Sequence, residues 1–337
     1  MIARLLISIA IHNVIMHTSW LTAEQYAQLS TQVQGAFIAP LPAFETLLIS
    51  GPDNRKYLQG QTTCDLDQLQ PENFLRGAHC DAKGKMWSQF HLVSDGEQLV
   101  VLAFRDELNA SAAQWKKFGV FSKVSFASGQ QHYAVFGIGG SDSEKLIKQL
   151  GFSVPAPGTL SRKPNAILLG LADDHFMLLI AQAEAQPLMQ QPLPFAAPTL
   201  WLAQHIQHGF SYLEQALIGA FVPQMLNLQA LDAISFTKGC YIGQETVARL
   251  KYRGGNKRAA YILTAQTDEV PAAGTDIEVQ LGENWRRSGQ VVNAANINNR
   301  LWLIAVLPND TTPADSLRLS SDSAPALSLQ PLPYSIN

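Results

Sequence analysis

The sequence predicts an α+β fold that ends in a small β-barrel, and three observations carry that prediction. Up to about residue 250, short strand-like runs interleave with helical stretches without a regular βαβ alternation. From Arg258 onward helical patterning disappears, and brief strand runs alternate with Pro, Gly and Asn turns, as in a small barrel. At 337 residues, with 47% hydrophobic, the chain exceeds the usual single-core limit, so two or three domains are expected.

The elements follow in order. An apolar run at 5–11 is too short to span a bilayer and ends in His12 and Asn13. Arg4 alone charges its front, and no small-x-small cleavage site follows, which argues against a signal peptide. Helix-like spacing covers 21–33, and F-E-T-L-L-I-S at 44–50 is a short strand closed by Gly51 and Pro52. A helix through 55–59 comes next. Gly84, inside Lys-Gly-Lys, reads as the tip of a hairpin that feeds strands over 87–93 and 98–104. The pattern then gives a helix over 106–118 and strands over 120–126 and 133–138. A serine-capped helix over 141–150 and strands over 166–171 and 175–181 follow. Four prolines within 187–198 mark a linker or extended surface segment, and helix resumes over 200–208. Strand runs at 260–264, 277–279, 288–292 and 301–305 build the barrel.

A formal net charge of −3 argues against a wholesale nucleic-acid binder and makes any basic patch a local feature. Cys64, Cys80 and Cys240 are three widely spaced cysteines, so neither a disulfide framework nor a CxxC metal knuckle is indicated, and a reducing, cytoplasmic compartment is expected. The eight histidines show no paired spacing for zinc, and no metal site is expected.

The stretch S-F-T-K-G-C-Y-I-G-Q-E-T-V-A-R-L-K-Y-R at 235–253 concentrates a lone cysteine, two glycines and several cations. It reads as a loop feeding a helix, with Gln244 and Glu245 in the first turn. Cys240 then sits just ahead of a helix N-terminus with Lys238 two residues away, and both features favour a thiolate. Two readings of the sulfur are open: a reactive or ligating thiol, or a small buried hydrophobe. The run R-L-K-Y-R-G-G-N-K-R at 249–258 suits carboxylates or phosphates, or else is a solvated helix end. Lys83 and Lys85 lack phosphate-loop spacing and are assigned to the hairpin tip.

K-G-C-Y-I-G-Q-E at 238–245 resembles the signature of the YgfZ family, folate-binding tRNA-modifying proteins related to the glycine-cleavage aminomethyltransferases. Y-L-Q-G-Q-T-T-C-D at 57–65, H-C-D-A-K-G-K-M-W-S at 79–88 and F-S-K-V from Phe121 are similar to that family too. So are P-Q-M-L-N-L-Q-A-L from Pro223, G-E-N-W-R-R-S-G from Gly282 and P-L-P-Y-S from Pro331. The resemblance begins near Phe44. Residues 1–20 are therefore expected to be a non-core extension, with translation starting at Met16.

The resemblance implies an aminomethyltransferase-like ring: two intertwined α+β parts over 21–250, a C-terminal barrel over 255–337, and tetrahydrofolate in a central cavity. It places Trp201 at the family's folate-contacting tryptophan position and Phe44 where relatives often carry a second one, although each aromatic read alone belongs to a core. Gln224 and Asn227 are candidates for the pterin edge, or else cap turns. Tyr241 joins the cofactor contacts, and Arg249 and Arg253 would meet the glutamate tail. Cys240 is the expected functional thiol, with Lys238 beside it. The implied role is maintenance of iron–sulfur enzymes, such as tRNA-thiolating enzymes, and through them tRNA modification, by a monomer without stand-alone catalysis.

Two rivals belong to other classes. A folate-dependent aminomethyl transferase needs a carboxylate near the folate amine, and Asp106 and Glu107 lack the expected flanking pattern. A direct tRNA-binding module is favoured by the basic run but disfavoured by net acidity and the absence of aromatics clustered on a basic strand face.

Overall fold

The computed structural model describes residues 20–320 and 325–336. The expected start at Met16 and the body of the N-terminal extension lie outside these residues. Trp20, expected in that extension, is instead a core residue, its ring centroid 4.9 Å from that of Phe136. The chain forms two compact units: residues up to Leu47 with Ala127–Trp201, and Leu48–Phe126 with the chain from Leu202 onward.

The first unit is built on an antiparallel sheet in the order Phe37–Pro40, Tyr133–Gly139, His175–Ala181, Ala166–Ala172, Leu160–Lys163. Apolar side chains of Ile38, Phe136, Ile138, Leu168 and Leu178 form its core with Leu146 and Ile147 of the helix Ser143–Gln149 and with Ala185 and Leu188 of Gln182–Met189. The first of these helices is not serine-capped: Asp142 is the N-cap, makes no side-chain cap bond, and pairs instead with Lys145. Helix over 21–33 shrinks to Ala23–Ala27, none of whose residues is fully buried; Tyr26 alone of them packs against the core, and so small an apolar face does not sustain a longer helix. Pro187 falls inside a helix rather than opening a linker. The prolines after it place Phe195 and Ala196 beside the first strand, where Ala196 N–H donates to Ile38 O at 2.9 Å.

In the second unit a five-stranded sheet runs in the order Leu75–Cys80, Met86–Asp95, Gln98–Phe104, Phe44–Ser50, Ser125–Ser128, the last two strands carrying the chain across the unit boundary. The helix Arg105–Phe118 lies against it and buries Trp115, which stacks on His79 at 4.8 Å and meets Phe90 edge-on at 6.0 Å. The expected strand over 120–126 is mostly a turn: Gly119–Phe121 is a 3-10 helix, and pairing begins only at Ser125.

The barrel is a closed ring of six strands in the order Arg258–Gln266, Arg300–Pro308, Asn284–Ile297, Asp276–Leu281, Leu317–Leu319, Ala326–Gln330. Pairing of Ile262 with Gln330 and of Leu263 with Leu329 shuts it. The first strand is buried on both faces. Tyr261 and Leu263 fill the barrel, while Ala260 and Ile262 face a second core with Ile206, Phe221, Leu226 and Val247.

Burial also sets the charge state of histidines in this unit, holding the His79 and His91 imidazoles down to about 3, against a usual value of about 6.5. A histidine with a depressed folded pKa takes up a proton on unfolding, so its contribution is intact above about 6.5 and is lost as pH falls toward about 3. In His79→Asn the slope of unfolding free energy against pH should therefore fall across that window by about 1.4 kcal/mol per pH unit. Urea unfolding at a series of pH values measures this, and an unchanged slope would show that His79 already carries a proton in the native state.

Candidate functional site

Three of the segments singled out in the sequence meet in the second unit: 57–65, 79–88 and 238–245. Lys238 is buried, and its Nζ donates to the carbonyls of Gln59 at 2.7 Å, Thr62 at 2.9 Å and Cys64 at 2.6 Å. That uses all three ammonium hydrogens. The Nζ also lies 5.3 Å from the Tyr241 ring centroid. Its charge is therefore committed to backbone carbonyls and an aromatic face, which corrects the expectation that it serves the thiol of Cys240. Burial draws the ammonium pKa below its ordinary value.

Backbone bonds hold the loop on both sides of this anchor. Ser235 N–H donates to Thr63 O at 2.8 Å, and Ile242 N–H donates to Gly60 O at 3.1 Å. The Thr63 hydroxyl donates to Ala233 O at 2.6 Å and accepts from Ala78 N–H at 2.8 Å.

The far end of the loop is fixed by two glycines. Gly243, at φ +83, is the N-cap of the helix Gln244–Tyr252, and a Cβ there would stand 2.6 Å from Asp81 O and 3.0 Å from the Gly84 Cα. Gly84, at φ +77, closes the hairpin tip, where the Asp81 carboxylate accepts the N–H groups of Lys83 and Lys85. Lys85 reaches across to Ala220 O at 2.7 Å.

On this frame Gly239 and Cys240 are exposed. Cys64 and Cys80 are buried, and burial pushes both thiols above their usual range. Cys240 is thus the accessible thiol, three residues ahead of a helix cap. Exposure excludes the reading of Cys240 as a buried hydrophobe.

The other expected site residues divide. Gln224 is buried: its amide donates to Val247 O at 2.6 Å, and its Oε1 has no hydrogen-bond partner among the described residues. Asn227 braces the fold instead, its amide donating to Ala260 O at 2.8 Å and accepting from Ala260 N–H at 3.2 Å. With both ends of its amide engaged by the barrel, it is withdrawn from the pterin contacts. Tyr241 is buried beneath Lys238. Arg249 and Arg253 are exposed at the end of the helix, where Lys251 Nζ lies 3.9 Å from the Phe236 ring centroid.

Phe44 and Trp201 are close together in the first unit, edge to face at 5.7 Å. Trp201 has no exposed surface. Its ring stacks on His175 at 4.4 Å, a Cβ on Gly137 would collide with it, and its N–H donates to Phe176 O at 3.0 Å. The ring is therefore core rather than a stacking platform, as its composition alone suggests. Asp106 accepts from Gln215 N–H at 2.9 Å, and Glu107 is buried against Gln89 N–H at 3.0 Å. Sequence reading singled out segment 57–65 but not the part that the Thr63 hydroxyl and the carbonyls of Gln59, Thr62 and Cys64 play in holding the loop; the carbonyls in particular leave no side-chain signal.

Residues 256–322 match the family model described as the YgfZ β-barrel domain. The chain is 43% identical over 295 residues to the tRNA-modifying protein YgfZ of Yersinia pseudotuberculosis serotype O:1b (strain IP 31758), an alignment covering 86% of this chain and 89% of that protein. The Yersinia enterocolitica protein of the same description is 40% identical with the same coverage. In fold the chain is similar to the glycine cleavage system aminomethyltransferase T from Bartonella henselae, with a TM-score of 0.69 at 12% identity, over 92% of this chain and 88% of that one. Among the described residues, no group of three His, Cys, Asp or Glu is placed to hold a metal ion, and no helix is long and apolar enough to cross a membrane.

Removing the ammonium tests the anchor. Lys238→Met strands three carbonyls and should lower the unfolding free energy by about 3 kcal/mol or more. Lys238→Arg should rescue little, since a planar guanidinium does not match three converging acceptors. Urea unfolding reports the loss, and a midpoint equal to the parent's would show that the loop is held without it.

Proposed function

Because this chain belongs to the YgfZ family of tRNA-modifying proteins, we propose that it acts as an accessory protein in which Cys240 supplies a functional thiol for iron–sulfur enzymes that modify tRNA. The observation that carries the reading is the display of one exposed thiol on a loop pinned by Lys238 and by glycine at the helix cap, while the other two cysteines are sealed in the core. A sulfur held out in this way suits transient handling of a persulfide, a cluster or a redox partner. A cytoplasmic setting fits a free, accessible thiol.

Tetrahydrofolate is the second component of the proposal. When bound it supplies a reduced pterin with N–H donors and a carboxylate tail. The Gln224 Oε1 is a buried acceptor in need of a donor, and Arg249 and Arg253 are cations open to a carboxylate. Aminomethyl transfer is less well supported, since Asp106 is occupied by Gln215 and Glu107 is buried beside Gln89.

Cys240→Ser decides the first part. The variant should keep its melting temperature and folate affinity yet fail to restore thiolated tRNA in a deletion strain; full restoration would reduce the cysteine to a surface residue. For the second part, calorimetric titration of tetrahydrofolate into Gln224→Met should show affinity about tenfold weaker than the parent. Equal affinity would remove Gln224 from the site.

A further inference from the structure

The segment after the helix Arg105–Phe118 reads as a strand yet turns its apolar side chains to solvent. Phe121 is 99% exposed, Val120 68% and Phe118 50%, so three of the five large exposed hydrophobic residues among the described residues lie within four positions. A concentration of that kind marks an interaction site rather than ordinary surface.

Local structure holds these side chains out. Trp115, fully buried one turn earlier, has its carbonyl occupied by Tyr57 O–H at 2.8 Å and by the Gly119 N–H. Gly119 is buried, and a Cβ on it would press on Phe126 at 3.0 Å and Val124 at 3.3 Å. Ser122 N–H closes the turn on Gly119 O at 3.0 Å. Lys123 is tied to Asp53 in both directions, its N–H donating to the carboxylate at 2.8 Å and its carbonyl accepting Asp53 N–H at 3.3 Å.

Within the segment itself the charge has one sign, and the one carboxylate hydrogen-bonded to it from elsewhere, that of Asp53, is engaged by the Lys123 N–H. Lys116, Lys117 and Lys123 are exposed, and no aspartate or glutamate occurs in the sequence between Glu107 and Asp142. On a chain of net charge −3 this is a local reversal. An apolar centre flanked by lysines has the anatomy of a protein interface that meets a negative surface. RNA fits less well: Val120 offers no flat face for a base, the segment 111–128 contains no arginine, and Lys117 Nζ already lies 5.5 Å from the Phe118 ring centroid.

We infer that the turn Gly119–Phe121 is the docking surface for an acidic protein partner that receives Phe121 in an apolar pocket. The site is independent of the Cys240 loop and of the proposed function.

The test places p-benzoylphenylalanine at position 121 of the full chain in the native host, with position 130 as an exposed control, and identifies photo-adducts by mass spectrometry. The expected result is an adduct at 121 and not at 130 with an identified protein of net negative surface. That protein, purified, should bind the parent chain, and binding should weaken about tenfold or more with Phe121→Ser and weaken again as salt is raised. Phe121 is exposed, so Phe121→Ser should leave the melting temperature unchanged. Several outcomes would overturn the proposal: a nuclease-sensitive RNA adduct, an adduct within or between copies of this chain, no adduct above the control, or binding of the purified partner that ignores Phe121→Ser.

Discussion

A single buried ammonium organises the region around Cys240. The helix Asn54–Gln59 ends in carbonyls without intrahelical partners, and the chain then runs through Thr62 and Cys64 with further carbonyls facing inward. Lys238 supplies hydrogens to all three at once, and a cation at a helix C-terminus is electrostatically favourable as well. Once that lysine is docked, the next two residues have no freedom to retreat into the core, and Cys240 remains at the surface. A lysine two residues from a cysteine thus acts through position rather than through charge on the sulfur.

The barrel matters to this arrangement because its wall is shared. In the strand Arg258–Gln266, alternate side chains fill the barrel and the core that receives Val247 of the cysteine-loop helix. Asn227 adds a polar link, gripping both backbone groups of Ala260 from the turn Pro223–Leu226. The segment carrying Gln224 is therefore fixed by the barrel on one side and by the helix Gln244–Tyr252 on the other. A buried amide oxygen left without a partner in so constrained a place is costly unless something donates to it.

Glycine serves two different surfaces in the second unit. At Gly243 and Gly84 it lets two backbones interlock where any side chain would collide, which sets the cap of the cysteine-loop helix. At Gly119 it lets a helix end tightly against Phe126, so that the following Val120 and Phe121 are thrown outward. In both cases a small residue buried at the base produces a defined exposure at the tip.

Local pattern in the sequence was enough to locate strands 44–50, 98–104 and 175–181, the hairpin at Gly84, the barrel and the loop that feeds the helix at Gln244. Those features follow from the alternation of apolar side chains and from glycine at turns, which are properties of neighbouring residues. Tertiary structure alone decided the rest. Lys238 finds its acceptors 174 to 179 residues away, and carbonyl acceptors are chemically identical at every position in a sequence. Trp201 becomes core because Gly137 and His175 close over it from distant strands, and Phe121 becomes surface because Gly119 ends a helix one turn after a buried tryptophan. The sequence by itself determined where many of the strands, the turns and the barrel form; whether a given side chain braces the fold or stays exposed depended on which remote backbone it reached first.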